Sequence, residues 1–94
     1  MSLSQEYTNL SQFLTGYFPD ADLDELTDEQ VVHEFVSSNP QEIVMVTKNE
    51  LEKIIEENTF FDEIGFLANR YFKNQEEVLE WLETILLYLN KAEF

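Results

Sequence analysis

The chain has 94 residues, no cysteine and a formal net charge of −15 at pH 7, from 20 acidic and five basic residues. This length suits one domain with a single core. So acidic a chain is a poor partner for nucleic acid or an anionic membrane, because both are bound through Lys and Arg. The natural complement of this charge is a basic protein.

Without cysteine the chain forms no disulfides, which fits a reducing cytoplasm. The first ten residues, MSLSQEYTNL, lack the basic and apolar segments of a signal peptide. No apolar run approaches the roughly 20 residues needed to cross a bilayer. We therefore expect a cytoplasmic protein.

Apolar residues at three- and four-residue spacing predict a first helix from residue 4 to about residue 17. Gly16 and Pro19 indicate its end, and residues 19–26 are expected to form a loop. Thr27 is predicted to begin the second helix with a capping box, in which its hydroxyl accepts an amide and Gln30 reaches back. The expected buried stripe of this helix is Val31, Val32, Phe35 and Val36.

The segment Asn39-Pro40-Gln41-Glu42 predicts another helix start, with Asn39 as the N-cap and Pro40 in the first turn. This third helix is expected over residues 40–57. On a helical wheel its apolar arc holds Ile43, Val44, Thr47, Leu51, Ile54 and Ile55, with Met45 and Val46 outside it. The β-branched run 43–47 is also compatible with a strand, but the helical period continues unbroken to Ile55.

Two further helices are predicted in the C-terminal third. The fourth is short and is indicated by Phe60, Phe61, Ile64, Phe66 and Leu67, with Tyr71 and Phe72 in the turn that follows. The fifth begins at the cap Asn74 and runs to about Lys91. Its expected inner face is Val78, Trp81, Leu82, Ile85, Leu86 and Leu89. Together these elements predict a compact all-α bundle of about five helices, one domain over residues 1–94.

The segment 20–29 holds six carboxylates, whereas no Lys or Arg precedes Lys48. Two of these acids would lie in the first turn of the second helix, where the helix dipole favours them. A merely solvated face is the alternative to a binding surface, but solubility does not require acids gathered in one place. We therefore predict a partner-binding site formed by Asp20, Asp22, Asp24, Glu25, Asp28 and Glu29.

A second candidate interface lies on the outer face of the last helix. There an apolar side chain stands among acids, which is one way to build an interface anchor, although single exposed leucines are common. Its residues are Glu76, Glu80, Glu83 and Leu87. Trp81 of the same helix is assigned to the core, with contact to a partner as the alternative.

No constellation for catalysis or metal binding emerges. Asp20, Asp22 and Asp24 have the spacing of the first calcium ligands of an EF-hand, but Glu25 and Val31 replace the required glycine and glutamate. The acids of the segment have nothing to raise one pKa, as acid catalysis requires. His33 is the only histidine and lacks a metal or triad partner. We predict no enzymatic activity, no cofactor and no metal site.

The order of several short motifs resembles the CdiI-like immunity proteins of bacterial contact-dependent growth inhibition systems. The motifs, spread between about Leu10 and Leu89, are Phe13-Leu14-x-Gly16-Tyr17-Phe18, Asp28-Glu29-x-Val31-Val32-x-x-Phe35-Val36, Asn39-Pro40, Glu50-Leu51 and Trp81-Leu82. The resemblance implies an α-helical cytoplasmic protein that binds and blocks one cognate toxin domain. Toxins of these systems are often nucleases, whose grooves are basic.

The expected function is thus neutralisation of a basic toxin domain by a protein that is monomeric when free. Two alternatives remain open. A DNA-mimic inhibitor would block several DNA-binding proteins and would need carboxylates spaced along an elongated face. An acidic adaptor or structural subunit would use the Leu87 face and bind a non-toxic partner or itself.

Overall fold

The computed structural model describes residues 3–58 and 60–92, apart from the side chains of Ser4 and of residues 20–24. This part of the chain forms five helices of two turns or more and a single-turn α1. Their bounds are α1 Leu3–Glu6, α2 Thr8–Asp24, α3 Asp28–Ser38, α4 Gln41–Glu57, α5 Phe61–Ala68 and α6 Gln75–Ala92. The described residues contain no strand, so the all-α prediction is confirmed and the strand alternative for residues 43–47 is wrong.

The largest correction concerns the first predicted helix and the loop after it. The chain breaks at Tyr7, and α2 then continues through Gly16 and Pro19 to Asp24. A proline inside a helix removes one backbone hydrogen bond and normally costs about 3 kcal/mol. Here the preceding side chain, Phe18, is fully buried and packs edge-on against Phe13 and Trp81. We attribute the continued helix to this packing, which local propensity does not include.

The predicted helix starts are confirmed at two positions and wrong at a third. The Thr27 hydroxyl accepts from the Gln30 amide at 3.2 Å, and the Gln30 side chain accepts from the Thr27 amide at 2.8 Å. Asn74 accepts from the Glu77 amide at 2.9 Å and so caps α6. Asn39, in contrast, lies at the end of α3, where its amide donates to the Phe35 carbonyl, and Pro40 is the N-cap of α4.

The core is built around α2, which packs against α1, α3, α4 and α5, while α6 packs against α3, α4 and α5. The predicted inner faces of α3, α4 and α6 are buried or half-buried, and Met45 and Val46 are exposed as expected. Ile43 is a correction, because it was placed in the buried arc of α4 and is 37% exposed. On the wheel Ile43 lies at one edge of the apolar arc, so its side chain borders solvent, whereas the neighbouring Val44 lies inside the arc and is buried.

Three carboxylates hold the N-terminal segment against the rest of the bundle. Glu50 of α4 accepts hydrogen bonds from the Leu10 amide at 2.9 Å and from the Asn9 side chain at 3.0 Å. These donors belong to the first turn of α2, so Glu50 caps α2 from another helix. Glu57 accepts from the Tyr7 hydroxyl, and Glu63 accepts from the Leu3 amide. Part of the acidic composition therefore has a structural purpose.

Within residues 3–58 and 60–92, every helix is too short or too polar to span a bilayer.

Candidate functional site

The acidic segment 20–29 forms the end of α2, a tight turn and the first residues of α3. Its backbone leaves the helix at Glu25, which has a positive φ of 57°. This left-handed conformation commonly ends a helix, although glycine or asparagine is more usual there. The side chains of Asp20, Asp22 and Asp24 lie outside the described part of the structure, so their assignment to a binding site stays a prediction.

Asp28 points inward and joins the acidic segment to the loop between α5 and α6. Its carboxylate forms an ion pair with the Arg70 guanidinium, 2.8 Å from Oδ1, while Oδ2 accepts hydrogen bonds from Arg70 at 3.4 Å and from the Trp81 indole N–H at 2.9 Å. The Asp28 and Arg70 side chains are each 23% exposed. A partly buried ion pair is screened less by solvent than a surface ion pair, and the hydrogen bond from Trp81 helps to orient the Asp28 carboxylate. Asp28 is therefore occupied by contacts within the chain.

Arg70 is held further by aromatic rings. Its guanidinium carbon lies 5.6 Å from the ring centres of both Phe18 and Trp81, a distance suited to cation–π attraction. Phe72 packs against Trp81 at 5.6 Å. The assignment of Trp81 to the core is thus correct in part, because its ring is half-buried while its N–H serves Asp28.

The other two described acids of the segment, Glu25 and Glu29, are exposed. Glu29 borders a shallow depression of about 220 Å³ between α3 and the end of α6, together with His33, Tyr88, Lys91 and Ala92. His33 is exposed, as a helix-surface residue is expected to be. Of the described acids of the segment, Glu25 and Glu29 are thus presented to solvent, whereas Asp28 is engaged internally.

The second candidate interface forms a continuous stripe. Its four residues follow the helical period of α6 and are all exposed, Leu87 to 55%. The stripe points away from the buried face of α6, and Trp81 lies on the edge that meets α3. The structure thus places Glu76, Glu80, Glu83 and Leu87 together, but on a different side of α6 from Asp28. Their role in binding stays a prediction.

Two aromatic residues that the sequence analysis did not identify as binding candidates are exposed. Phe66 is 85% exposed and Tyr71 is 87% exposed, far more than any other large apolar side chain in the described residues. A wheel of α5 would have revealed the first, because Phe66 lies about 140° from Phe61 and opposite Ile64. Tyr71 carries no such signal, since it follows the helix and its direction depends on how the loop folds.

The loop that follows α5 and presents Tyr71 is built by specific contacts. Asn69 adopts the left-handed conformation, with a φ of 55°, and the Arg70 amide donates to the Gly65 carbonyl at 2.8 Å. A Cβ at Gly65 would lie 2.9 Å from the Arg70 carbonyl oxygen, so only glycine lets the loop return this closely. Phe72 then turns inward against Trp81, and its neighbour Tyr71 points to solvent.

A cleft of about 290 Å³ lies beside Phe66 and Tyr71, between α5 and the start of α6. Phe61, Gly65, Phe72 and Val78 provide its apolar lining. The rest of the lining is formed by Asp62, Phe66, Arg70, Tyr71, Lys73, Asn74 and Gln75. This volume is at the lower limit of the roughly 300–1,000 Å³ of small-molecule pockets, and suits a side chain of a partner better than a cofactor.

The described residues contain no cluster of three or more histidines, cysteines or carboxylates able to hold a metal. The described acids lie at the surface or in structural contacts. The arrangement places exposed carboxylates in and beside the α2–α3 turn, and exposed aromatics on α5 and on the loop that the Asp28–Arg70 contacts fasten to that turn.

The chain is similar to a known protein family. A family model described as CdiI immunity protein matches residues 6–87, which is most of the chain. Neither the curated proteins nor the solved structures contain a match.

Proposed function

The chain belongs to the CdiI immunity protein family, and from this premise we propose that it protects its cell by binding a basic toxin domain through its acidic surface. The family relationship makes it a toxin-neutralising immunity protein of a contact-dependent growth inhibition system. The basic character of the toxin, the surface used and action in the cytoplasm are the parts that we propose. The match over residues 6–87 is the observation that carries the proposal.

The charge of the chain supports a basic partner. A net charge of −15 on 94 residues repels anions and attracts a cationic surface from a distance. Glu25 in the α2–α3 turn and Glu29 at the start of α3 are both exposed, so they can approach such a surface. Rim charges of this kind mainly raise the association rate and suppress wrong partners, while buried contacts supply most of the affinity.

We propose that inhibition is steric. The exposed acidic surface supports this: Glu25 and Glu29 are presented to solvent on a chain of net charge −15, which suits a protein that covers a cationic surface of the toxin. A nuclease toxin is the partner that this charge suits best, because an acidic protein seated in or beside a basic substrate groove keeps nucleic acid out.

The DNA-mimic alternative receives little support from the shape. The molecule measures 30 × 27 × 21 Å along its principal axes and is therefore nearly isotropic. A mimic of duplex DNA needs charges repeated along an extended face, because the duplex carries one charge per about 1.7 Å of axis. The adaptor alternative predicts a non-toxic partner and is separated by the experiment below.

The test is binding to the toxin domain encoded beside this gene. We expect a 1:1 complex by calorimetry with purified, catalytically inactivated toxin, and no binding to an unrelated protein of similar positive charge. Binding to both proteins would indicate that the chain binds positively charged proteins in general, through its net charge alone. Absence of binding to the neighbouring toxin would contradict the proposal for this pair.

The surface is tested with two charge-reversal variants of equal net charge. One carries Asp22→Lys, Asp24→Lys and Glu25→Lys, and the other carries Glu76→Lys, Glu80→Lys and Glu83→Lys. Each variant has a net charge of about −9 in place of −15, so a general effect of charge is the same in both. We expect the first variant to lose at least about tenfold more affinity than the second. The opposite order would move the interface to the outer face of α6.

A further inference from the structure

We propose that Phe66 and Tyr71, with the cleft beside them, form the apolar anchor by which this protein holds its toxin. The inference rests on the proposed function and adds to it the location of the contacts that supply affinity. The partner that fits is a toxin surface with an apolar ridge or pocket bordered by Lys and Arg. We name these two residues the aromatic pair.

Exposure of the aromatic pair is the first observation. At 85% and 87%, these rings lose almost none of their contact with water on folding. The same fold buries Phe13, Phe18 and Phe61 to less than 5% exposure, so it has places for aromatic rings. Tyrosine is also among the residues that most often dominate the binding energy of interfaces.

The second observation is that the loop is held in place. Gly65 and Asn69 provide the backbone geometry, while Asp28, Phe18 and Trp81 hold Arg70, the residue before Tyr71. A partner therefore meets a surface that is already ordered, and the entropy lost on binding is reduced. Solubility alone gives no reason to order a loop that displays a tyrosine.

The third observation is the position of the aromatic pair relative to the acids. Asp28 contacts Arg70 directly, so the turn that exposes Glu25 and Glu29 and the loop that exposes Tyr71 are fastened to each other. Apolar anchors next to a charged rim are the usual arrangement of an interface that combines fast association with slow dissociation.

Net charge favours the toxin over a second copy of this chain as the partner that covers the aromatic pair. Self-association through the aromatic pair would bring together two molecules that each carry a net charge of −15 and therefore repel each other. The same charge attracts a basic toxin. Arg70 and Lys73 also line the cleft, but the Arg70 charge is matched by Asp28.

The experiment compares the double variant Phe66→Ala/Tyr71→Ala with the matched control Met45→Ala/Val46→Ala, whose residues are 45% and 41% exposed on α4, outside both candidate interfaces. The affinity of the full chain for the inactivated toxin is measured for wild type and both variants. We expect the aromatic variant to bind more than about 30-fold more weakly, as hot-spot residues do, and the control to change by less than about threefold. Thermal unfolding should be unchanged in both, because the four side chains are exposed.

Five other results are distinguishable. Failure of the wild type to bind the toxin overturns the proposed function and this inference together. Normal binding by the aromatic variant, or equal loss in both variants, overturns the inference alone. Concentration-dependent dimers of the wild type that the aromatic variant abolishes would assign the pair to self-association and also overturn it. If the aromatic variant unfolds early, amide exchange of residues 61–72 in the wild type decides: protection by the toxin supports the anchor, and unchanged exchange contradicts it.

Discussion

At the scale of single residues, the two glycines show how the same residue type serves different purposes in two helices. Both lie within helices and neither has a positive φ. A Cβ at Gly16 would meet no atom within 4 Å, whereas a Cβ at Gly65 would lie 2.9 Å from a backbone oxygen and 3.2 Å from Phe72. Helix propensity favours alanine over glycine by about 1 kcal/mol at both positions. The space around each glycine therefore decides whether a Gly→Ala substitution stabilises or destabilises the protein.

We expect Gly16→Ala to stabilise the protein by about 0.5–1 kcal/mol and Gly65→Ala to destabilise it by about 1–2 kcal/mol, because the loop must move away from the new methyl group. Urea unfolding of both variants measures the two free energies. Stabilisation by Gly65→Ala would show that the loop is not held as closely as described.

Tyr7 is the residue whose titration affects stability. The hydrogen bond that its hydroxyl donates to Glu57, together with burial, raises the pKa of Tyr7 above its ordinary value of 10.0. The folded state thus retains the Tyr7 proton more tightly than the unfolded state does. The resulting stability is fully present below pH 10 and is lost as the pH rises through the folded-state pKa.

We expect Tyr7→Phe to lower the free energy of unfolding by about 1 kcal/mol at pH 7, because this hydrogen bond is lost. Above pH 10 the stability of the variant should fall less steeply than that of the wild type. Chemical unfolding of both proteins between pH 7 and pH 11 gives the two curves. Parallel curves over the alkaline range would contradict the assignment.

At the scale of helices, Glu50 illustrates how a motif can be recognised before its purpose is known. The Glu50-Leu51 pair is one of the motifs that suggested the family resemblance, yet the sequence does not indicate that Glu50 caps α2 from 40 residues away. We expect Glu50→Gln to destabilise the protein by about 1–2 kcal/mol, because a charged acceptor at a helix N-terminus is lost. The exposed neighbour change Glu52→Gln is the control and should be nearly neutral. Equal effects in thermal unfolding would remove the capping role.

Asp28 connects α3, α6 and the α5–α6 loop. We expect Asp28→Ala to destabilise the protein by about 2–3 kcal/mol, since it removes hydrogen bonds from Arg70 and Trp81 and leaves the guanidinium partly buried. Glu29→Ala, the exposed neighbour, should cost less than about 0.5 kcal/mol. Similar unfolding midpoints for the two variants would show that the Asp28 contacts contribute little.

The helices themselves were largely predictable, because hydrophobic periodicity and cap residues are local. Thr27 and Asn74 cap as their sequences indicate. The errors arise where tertiary contacts outweigh local preference: α2 passes Pro19 because Phe18 is buried, and the Asn39 side chain binds Tyr17 and Phe35 instead of capping α4. For the candidate site, composition drew attention to the acidic segment but could not separate Asp28 from Glu29.

At the scale of the whole molecule, the imbalance of charge predicts how binding responds to salt. If acids steer the encounter, raising the ionic strength from about 0.05 M to 0.5 M should lower the association rate constant by at least about tenfold and change the dissociation rate constant much less. Stopped-flow mixing with the toxin measures both rate constants. A salt-independent association rate constant would contradict steering.

The Phe66→Ala/Tyr71→Ala variant should show the reverse pattern in the same measurement, with a faster dissociation and a nearly normal association rate.

The central claim is that this chain neutralises one toxin by covering it. The most direct measurement is a titration of the activity of the neighbouring toxin domain with purified protein, beside the Phe66→Ala/Tyr71→Ala variant. We predict that activity falls linearly to zero at one equivalent of wild type, and that the variant requires a large excess. Full toxin activity in the presence of a stoichiometric excess of wild-type protein would contradict the account.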